Sequence, residues 1–196
     1  MARRKTALVA LAGVLVAAGL YAGWGALTGL GSGRHTDCIL TKLQDDSAPV
    51  SLRAECDWPI PAARIGAILE DSEAQVRYFS NLGESTVLST EGNSVIVRQL
   101  HQATGISDRE VVVEWDVTPI EKGRRYTWRK SPDQSAATGR GVEVELYAGS
   151  WEITTTETGS HVVMETRYAP GGRVPFFLVR SFQGPGIRQV LDELRT

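Results

Sequence analysis

The chain has few residues of the kinds most often used for chemistry. Its 196 residues hold two cysteines and three histidines. Cys38 and Cys56 show no metal-type or Cys-x-x-Cys spacing, and His35, His101 and His161 stand far apart. No His-x-His pair, Gly-x-Ser-x-Gly elbow, phosphate loop or dinucleotide fingerprint occurs. Metal, hydrolase and nucleotide chemistry therefore find no support, and no cofactor is expected. A basic surplus is missing as well. The 21 Lys and Arg against 23 Asp and Glu leave a formal charge of -2, which argues against nucleic acid as a partner.

Charge is absent altogether between Lys5 and Arg34. The stretch from Thr6 to Leu30 is rich in Ala, Leu, Val and Gly and follows the basic triplet Arg3-Arg4-Lys5. At about 1.5 Å per residue a helix of that length exceeds the ~30 Å hydrocarbon core of a bilayer. It has no polar face, so a buried core helix fits poorly. A cleaved signal peptide would need a short apolar run and a small-x-small exit. Val16-Ala17-Ala18 and Gly23-Trp24-Gly25 are mediocre exits, and the apolar run passes both. An uncleaved signal anchor fits the length better, with Tyr21 and Trp24 at the outer interface and Arg3–Lys5 in the cytoplasm. The expected organisation is an anchor over residues 1–33 and one exported domain over 34–196, membrane-bound unless the signal is cleaved and the domain secreted.

That domain opens with two strand-like segments, Cys38–Leu43 and Val50–Cys56, around the turn-forming Asp45-Asp46-Ser47-Ala48-Pro49. Ser47 is the midpoint between the cysteines. A symmetric hairpin therefore sets them opposite one another, within disulfide reach, in a compartment that permits the bond. The alternative is two free thiols. A helix is predicted over 62–70 and a short one over 73–79, then strands at 85–88, 94–102, 109–117, 125–130, 141–153 and 161–168. In 109–117, Val111, Val113, Trp115 and Val117 alternate with Glu110, Glu114 and Asp116. Glu110, Glu114, Glu143 and Glu145 read as a solvated face. The polar stretch 130–139 reads as a mobile loop, and Gly149 as a bulge or close approach. Helical spacing returns from Pro175 to Leu194, with a break or sharp kink expected at Gly184-Pro185-Gly186. The plan is α+β: a curved antiparallel sheet covered by one long C-terminal helix.

Four segments carry a family resemblance in order: Tyr78–Leu88, Ser107–Val112, Gly149-Ser150-Trp151 and Ala169–Val179, with its Pro170-Gly171-Gly172. Together they resemble START domains and their polyketide-cyclase-like, helix-grip relatives over about residues 50–195. The resemblance implies a sheet wrapped around the C-terminal helix, with an apolar ligand such as a lipid, sterol, quinone or polyketide held between them. The candidate ligand-binding residues are Gln99, His101, Val113 and Trp115 on the first central strands. Trp128, Leu146 and Met164 follow on later strands, and Phe177 on the helix. Sterol-binding START proteins carry a buried acid and an arginine at the positions that align with Gln99 and Trp115 here, so the charged pair is gone. A sterol hydroxyl could still be met by Gln99 or His101.

The expected function is binding of a lipid or other apolar molecule for transport or sensing, without catalysis. The rival is an aromatase/cyclase-type enzyme with His101, Arg109 or Tyr168 moving protons. A third reading is an envelope interaction domain with a vestigial cavity. Asp108-Arg109 reads first as an ion pair fixing a strand start. The oligomeric state leaves no trace in the sequence.

Overall fold

The computed structural model describes residues 38–43, 50–102 and 105–196. The expected membrane anchor over 1–33 and the turn over 45–49 lie outside the described residues. No helix among the described residues is long and apolar enough to cross a membrane.

Nine strands form one sheet. They are β1 (Cys38–Lys42), β2 (Val50–Trp58), β3 (Leu82–Glu91), β4 (Ser94–His101), β5 (Arg109–Ile120), β6 (Gly123–Lys130), β7 (Val142–Glu143), β8 (Leu146–Thr155) and β9 (Ser160–Ala169). The helices are α1 (Ala62–Glu70) and α2 (Phe176–Arg195), with a 3-10 turn at Ala74–Arg77. The spatial order is β1-β2-β9-β8-β6-β5-β4-β3, all antiparallel, while the short β7 runs parallel to β5. Two-residue loops close β3–β4 and β5–β6, and the positive φ they need falls on Gly92 (60°) and Lys122 (59°).

The first hairpin has the symmetry its midpoint predicts. Cys38 registers with Cys56, and a disulfide joins them across a Cα separation of 4.3 Å. The bond ties the edge strand β1, whose Ile39 is 72% exposed, to β2, whose Cys56 is buried. A closed loop with a sequence separation of 18 is worth about 3 kcal/mol in the chain-entropy account. Reduction is expected to speed hydrogen exchange in β1 first and to lower the unfolding free energy by up to that amount. Unchanged β1 exchange after reduction would show that the bond does not hold the edge.

Segment 141–153 is not one strand, because its partners change. β6 leaves the edge of β5 at Lys130, opposite Val113. The Gln134 side chain then pairs with both backbone groups of Val112 (2.9 and 2.8 Å), and β7 pairs with Arg109 and Glu110. Val144 donates its N–H to Glu110, Glu145 donates to Ala169, and β8 begins there.

α1 buries Ile65, Ile68 and Leu69. Its last residue, Glu70, accepts hydrogen bonds from Tyr126 (2.8 Å) and Arg124 (2.5 Å) on β6. α2 is continuous through Pro185, so of the break or sharp kink expected there the break does not occur. Nothing lies within 4 Å of a Cβ placed at Gly184 or Gly186, so the turn around the proline has room to lose one ladder bond. Beyond it, Leu191 and Leu194 are buried in the main core, and Glu193 accepts hydrogen bonds from Ser80.

Candidate functional site

Strand register assigns the inward face. Val95 pairs with Trp115, Trp115 with Trp128, Trp128 with Gly149, Gly149 with Thr166, and Thr166 with Leu52. The next inward row runs Val117, Tyr126, Trp151, Met164, Ala54. Trp115 and Trp128 stack at 5.2 Å, and Trp128 lies 5.8 Å from Tyr147 and 6.4 Å from Trp151. Gly149 makes this possible: a Cβ there would stand 2.4 Å from the Trp128 ring. The glycine is thus a close approach, as its place in the sequence suggested.

The sheet curls enough to bring distant strands together. β4 and β8 have β6 and β5 between them, a separation of about 14 Å in a flat sheet at ~4.8 Å per strand. Yet His101 on β4 meets Tyr147 on β8 edge to face, with ring centroids 5.4 Å apart. Tyr147 in turn meets Tyr168 on β9 at 6.0 Å. This end of the concave face is the polar one. Gln99, fully buried, places its side-chain oxygen 3.2 Å from His101 Nε2. Arg109, paired in register with His101, is buried. Its guanidinium donates to the carbonyls of Pro170 (2.9 Å) and Ser107. It therefore fixes the start of β5 to the Pro170-Gly171-Gly172 turn ahead of α2, and does so through backbone carbonyls where an ion pair with Asp108 was expected.

His101 and Tyr147 both keep accessible surface, yet loss of water governs the titration of each. Desolvation lowers the His101 pKa from 6.5 to about 4 and pushes Tyr147 up. It raises Tyr168 too, with Arg109 opposing. All three side chains are neutral near pH 7. For His101 the folded state binds fewer protons than the unfolded state between about pH 4 and 6.5. Its contribution is complete above pH 6.5 and is lost as the pH falls through that window, by about 3 kcal/mol in all. The difference in unfolding free energy between wild type and His101→Gln should therefore slope with pH in that range. A flat difference would mean the ring is as well solvated as in the unfolded chain.

Of the residues proposed from the sequence, Gln99, His101, Val113, Trp115, Trp128 and Met164 share the inward face. Two do not belong with them. Leu146 falls on the outer parity of β8 with Ala148 and Ser150, and its neighbour Tyr147 takes the inward place. Phe177, in the first turn of α2, is 66% exposed. Gln99 and Trp115 sit on adjoining strands but register with Val111 and Val95 respectively, so they do not form a direct cross-strand pair. Tyr147 and Arg109 are the site residues that the sequence placed least well. Tyr147 was readable from its even spacing to Gly149 and Trp151.

A family model described as polyketide cyclase / dehydrase and lipid transport matches residues 49–196. The chain belongs to this family. A STAR-related lipid transfer protein fragment from Xanthomonas axonopodis aligns with TM-score 0.74 at 16% identity, over 84% of this chain and 94% of that one. Human StAR-related lipid transfer protein 5 aligns with TM-score 0.74 at 12% identity, over 84% and 83%. The Zhui aromatase/cyclase from Streptomyces sp. R1128 aligns with TM-score 0.58 at 12% identity, over 74% and 90%. At such identities the similarity is one of fold. No curated protein matches the chain by sequence. The polyketide cyclase / dehydrase and lipid transport fold, a curved antiparallel sheet with a C-terminal helix, suits an apolar ligand on its concave face.

Proposed function

We propose that this chain is a membrane-tethered, exported carrier or receptor that holds a lipid or other apolar molecule between its sheet and α2. The observation that supports this reading best is the inward aromatic cluster of Trp115, Trp128, Tyr147 and Trp151, with its few polar groups neutral and gathered at one end. Such a surface favours burial of apolar area and gives a ligand few points of polar orientation. The Cys38–Cys56 disulfide fits an oxidising compartment, and the basic, then apolar, start of the chain fits a signal anchor.

The enzyme reading has one observation in its favour: His101, Arg109 and Tyr168 meet at the same end of the face. Two others weigh against it. A histidine with a pKa near 4 is a poor proton shuttle at neutral pH, and the Arg109 guanidinium is occupied by backbone carbonyls. The carrier reading is therefore preferred.

Native mass spectrometry and lipid extraction of the purified full-length chain test it. A co-purifying or exchangeable apolar ligand is the expected result. A chain that arrives empty and takes up no sterol, phospholipid or quinone would favour an interaction domain instead. For the tether, detergent and not salt should release the protein from membranes. A soluble exported form beginning beyond Ala18 would remove it.

A further inference from the structure

The sheet ends in two edge strands, β1 and β3, and they are built differently. β3 has register irregularities at Leu82/Glu84 and Val87/Ser89, ends in Glu91, and has Glu84 clamped by Arg140 (2.6 Å). Bulges and charges of this kind keep a sheet edge from pairing with another chain. β1 runs in unbroken register from Cys38–Cys56 to Lys42–Leu52 and carries neither proline nor acid. Among the described residues it pairs with β2 alone.

The backbone of β1 is set to accept a second strand. Leu43 donates its N–H to Ser51 (3.0 Å), so the odd-numbered residues bond to β2. The Cys38–Cys56 Cα separation of 4.3 Å is that of a closely spaced, non-hydrogen-bonded pair. The N–H and C=O groups of Cys38, Leu40 and Lys42 therefore point off the sheet. A lipid surface offers no ladder for them, whereas a strand does.

The side chains say which strand. Ile39, Thr41 and Leu43 share the outer face, and Ile39 and Leu43 are 72% and 47% exposed. The row reads apolar, Thr, apolar, so it matches itself when turned end for end. Antiparallel pairing about a twofold axis at Thr41 sets Ile39 against the partner's Leu43 and Thr41 against the partner's Thr41. Leu40 then faces the partner's Lys42, and the hydrogen bonds fall on that pair. No like charges oppose each other. Arg53 stands beside Thr41 on β2, but it is held by Glu165 (2.5 Å). Its counterpart in the partner would lie three strand spacings away, about 14 Å.

We propose that β1 is a self-pairing edge through which two copies of this chain join their sheets. Five residues bury much less than the ~1,200 Å² of a stable interface, so the contact is weak between dilute chains. It rests on the tethered reading above, because confinement to one membrane supplies the local concentration that a weak contact needs.

The test uses the full-length Thr41→Cys chain in phosphatidylcholine vesicles under mild oxidation. The native cysteines are paired, which leaves the new thiol as the free one. Opposed residues of a closely spaced pair lie ~4.5 Å apart at Cα, within disulfide reach, so a covalent dimer is expected. Leu43→Cys alone should cross-link about ten-fold less, since it lies four residues from its own copy along the paired edge. Adding Ile39→Lys to Thr41→Cys should lower the cross-link by a similar factor, while the exposed position beside Glu55 spares the monomer. Hydrogen exchange reads the wild type: the Leu40 and Lys42 amides should be slow in paired chains and fast in dilute detergent, with Thr41 slow in both. Vesicle-bound chains that cross-link equally at Thr41 and Leu43, or at neither, would overturn the pairing and leave the tether standing. A Thr41 cross-link in chains that stay in the supernatant keeps the pairing and removes the tether; no cross-link there removes both. Slow Leu40 and Lys42 amides in dilute chains that do not cross-link would mean that another segment of the chain covers the edge, which also overturns the pairing.

Discussion

Gly149→Val is expected to yield little folded protein, and Gly149→Ala to lose about 3 kcal/mol, the upper end of what overpacking costs and a large share of a domain stability of about 5–15 kcal/mol. The reason is the lack of space on both sides of one atom. A Cβ at Gly149 would lie 2.2 Å from the Glu165 carbonyl oxygen and 2.4 and 2.6 Å from Cζ2 and Cη2 of Trp128. The carbonyl belongs to β9, whose register with β8 runs unbroken from Leu146–Ala169 to Thr155–Ser160, so it cannot retreat without parting the ladder. The ring cannot retreat far either, because Trp115, Tyr147 and Trp151 surround it. Thermal unfolding and soluble yield of the alanine and valine variants measure the effect. Pairing Gly149→Ala with Trp128→Leu relieves only the ring contact, so partial recovery is expected. An alanine variant that melts within two or three degrees of wild type would mean that β8 and β9 separate more easily than their register implies.

This close approach also explains which parts of the molecule were readable from sequence. Gly149 stood out because it interrupts an alternating strand, and the residues two positions away on either side, Tyr147 and Trp151, share its face. Leu146 and Tyr147 are one position apart, and in a strand one position is the whole distance between core and outer face. The Cys38–Cys56 pairing was legible because a hairpin's register follows from its midpoint. The split between β7 and β8 was not, because it depends on where β6 abandons β5, and nothing local in 141–153 records that. The same holds for Arg109. Its charge and its neighbour Asp108 suggested an ion pair, whereas its partners are carbonyls, one of them 61 residues away. In α2, Gly184-Pro185-Gly186 had every local mark of a break, but Gln183 bonds to Tyr168 and the turns beyond bury Leu191 and Leu194. Tertiary contacts on both sides hold the helix through the proline.

Glu110 shows the same lesson with a measurable consequence. Its alternation with Val111 and Val113 marked it as a solvated outer-face residue, and it does face outward, yet it is only 2% exposed. The loop after β6, expected to be mobile, folds back over it. Glu110 accepts hydrogen bonds from the N–H (2.8 Å) and hydroxyl (2.7 Å) of Thr138 and from the N–H of Gly139 (2.8 Å). Burial by itself would raise its pKa. The bonds from Thr138, Gly139 and Gly141 outweigh that and hold the carboxyl below its ordinary range. A depressed folded-state pKa contributes stability that is complete above the unfolded value of 4.5 and lost as the pH falls through the folded one. Glu110→Ala should therefore cost about 1.5–3 kcal/mol at pH 7, since it removes charge-assisted hydrogen bonds that hold the loop, while the exposed Thr138 and Gly139 donors can turn to water. Glu110→Gln should recover little, because an amide presents N–H where the loop also presents N–H. Hydrogen exchange at Thr138 and Gly139 should quicken in both variants by far more than in β9, and the gap in stability from wild type should narrow as the pH is taken below 4.5. A loop that stays protected in Glu110→Ala would show that Gln134, clamped on Val112, holds it without the carboxylate.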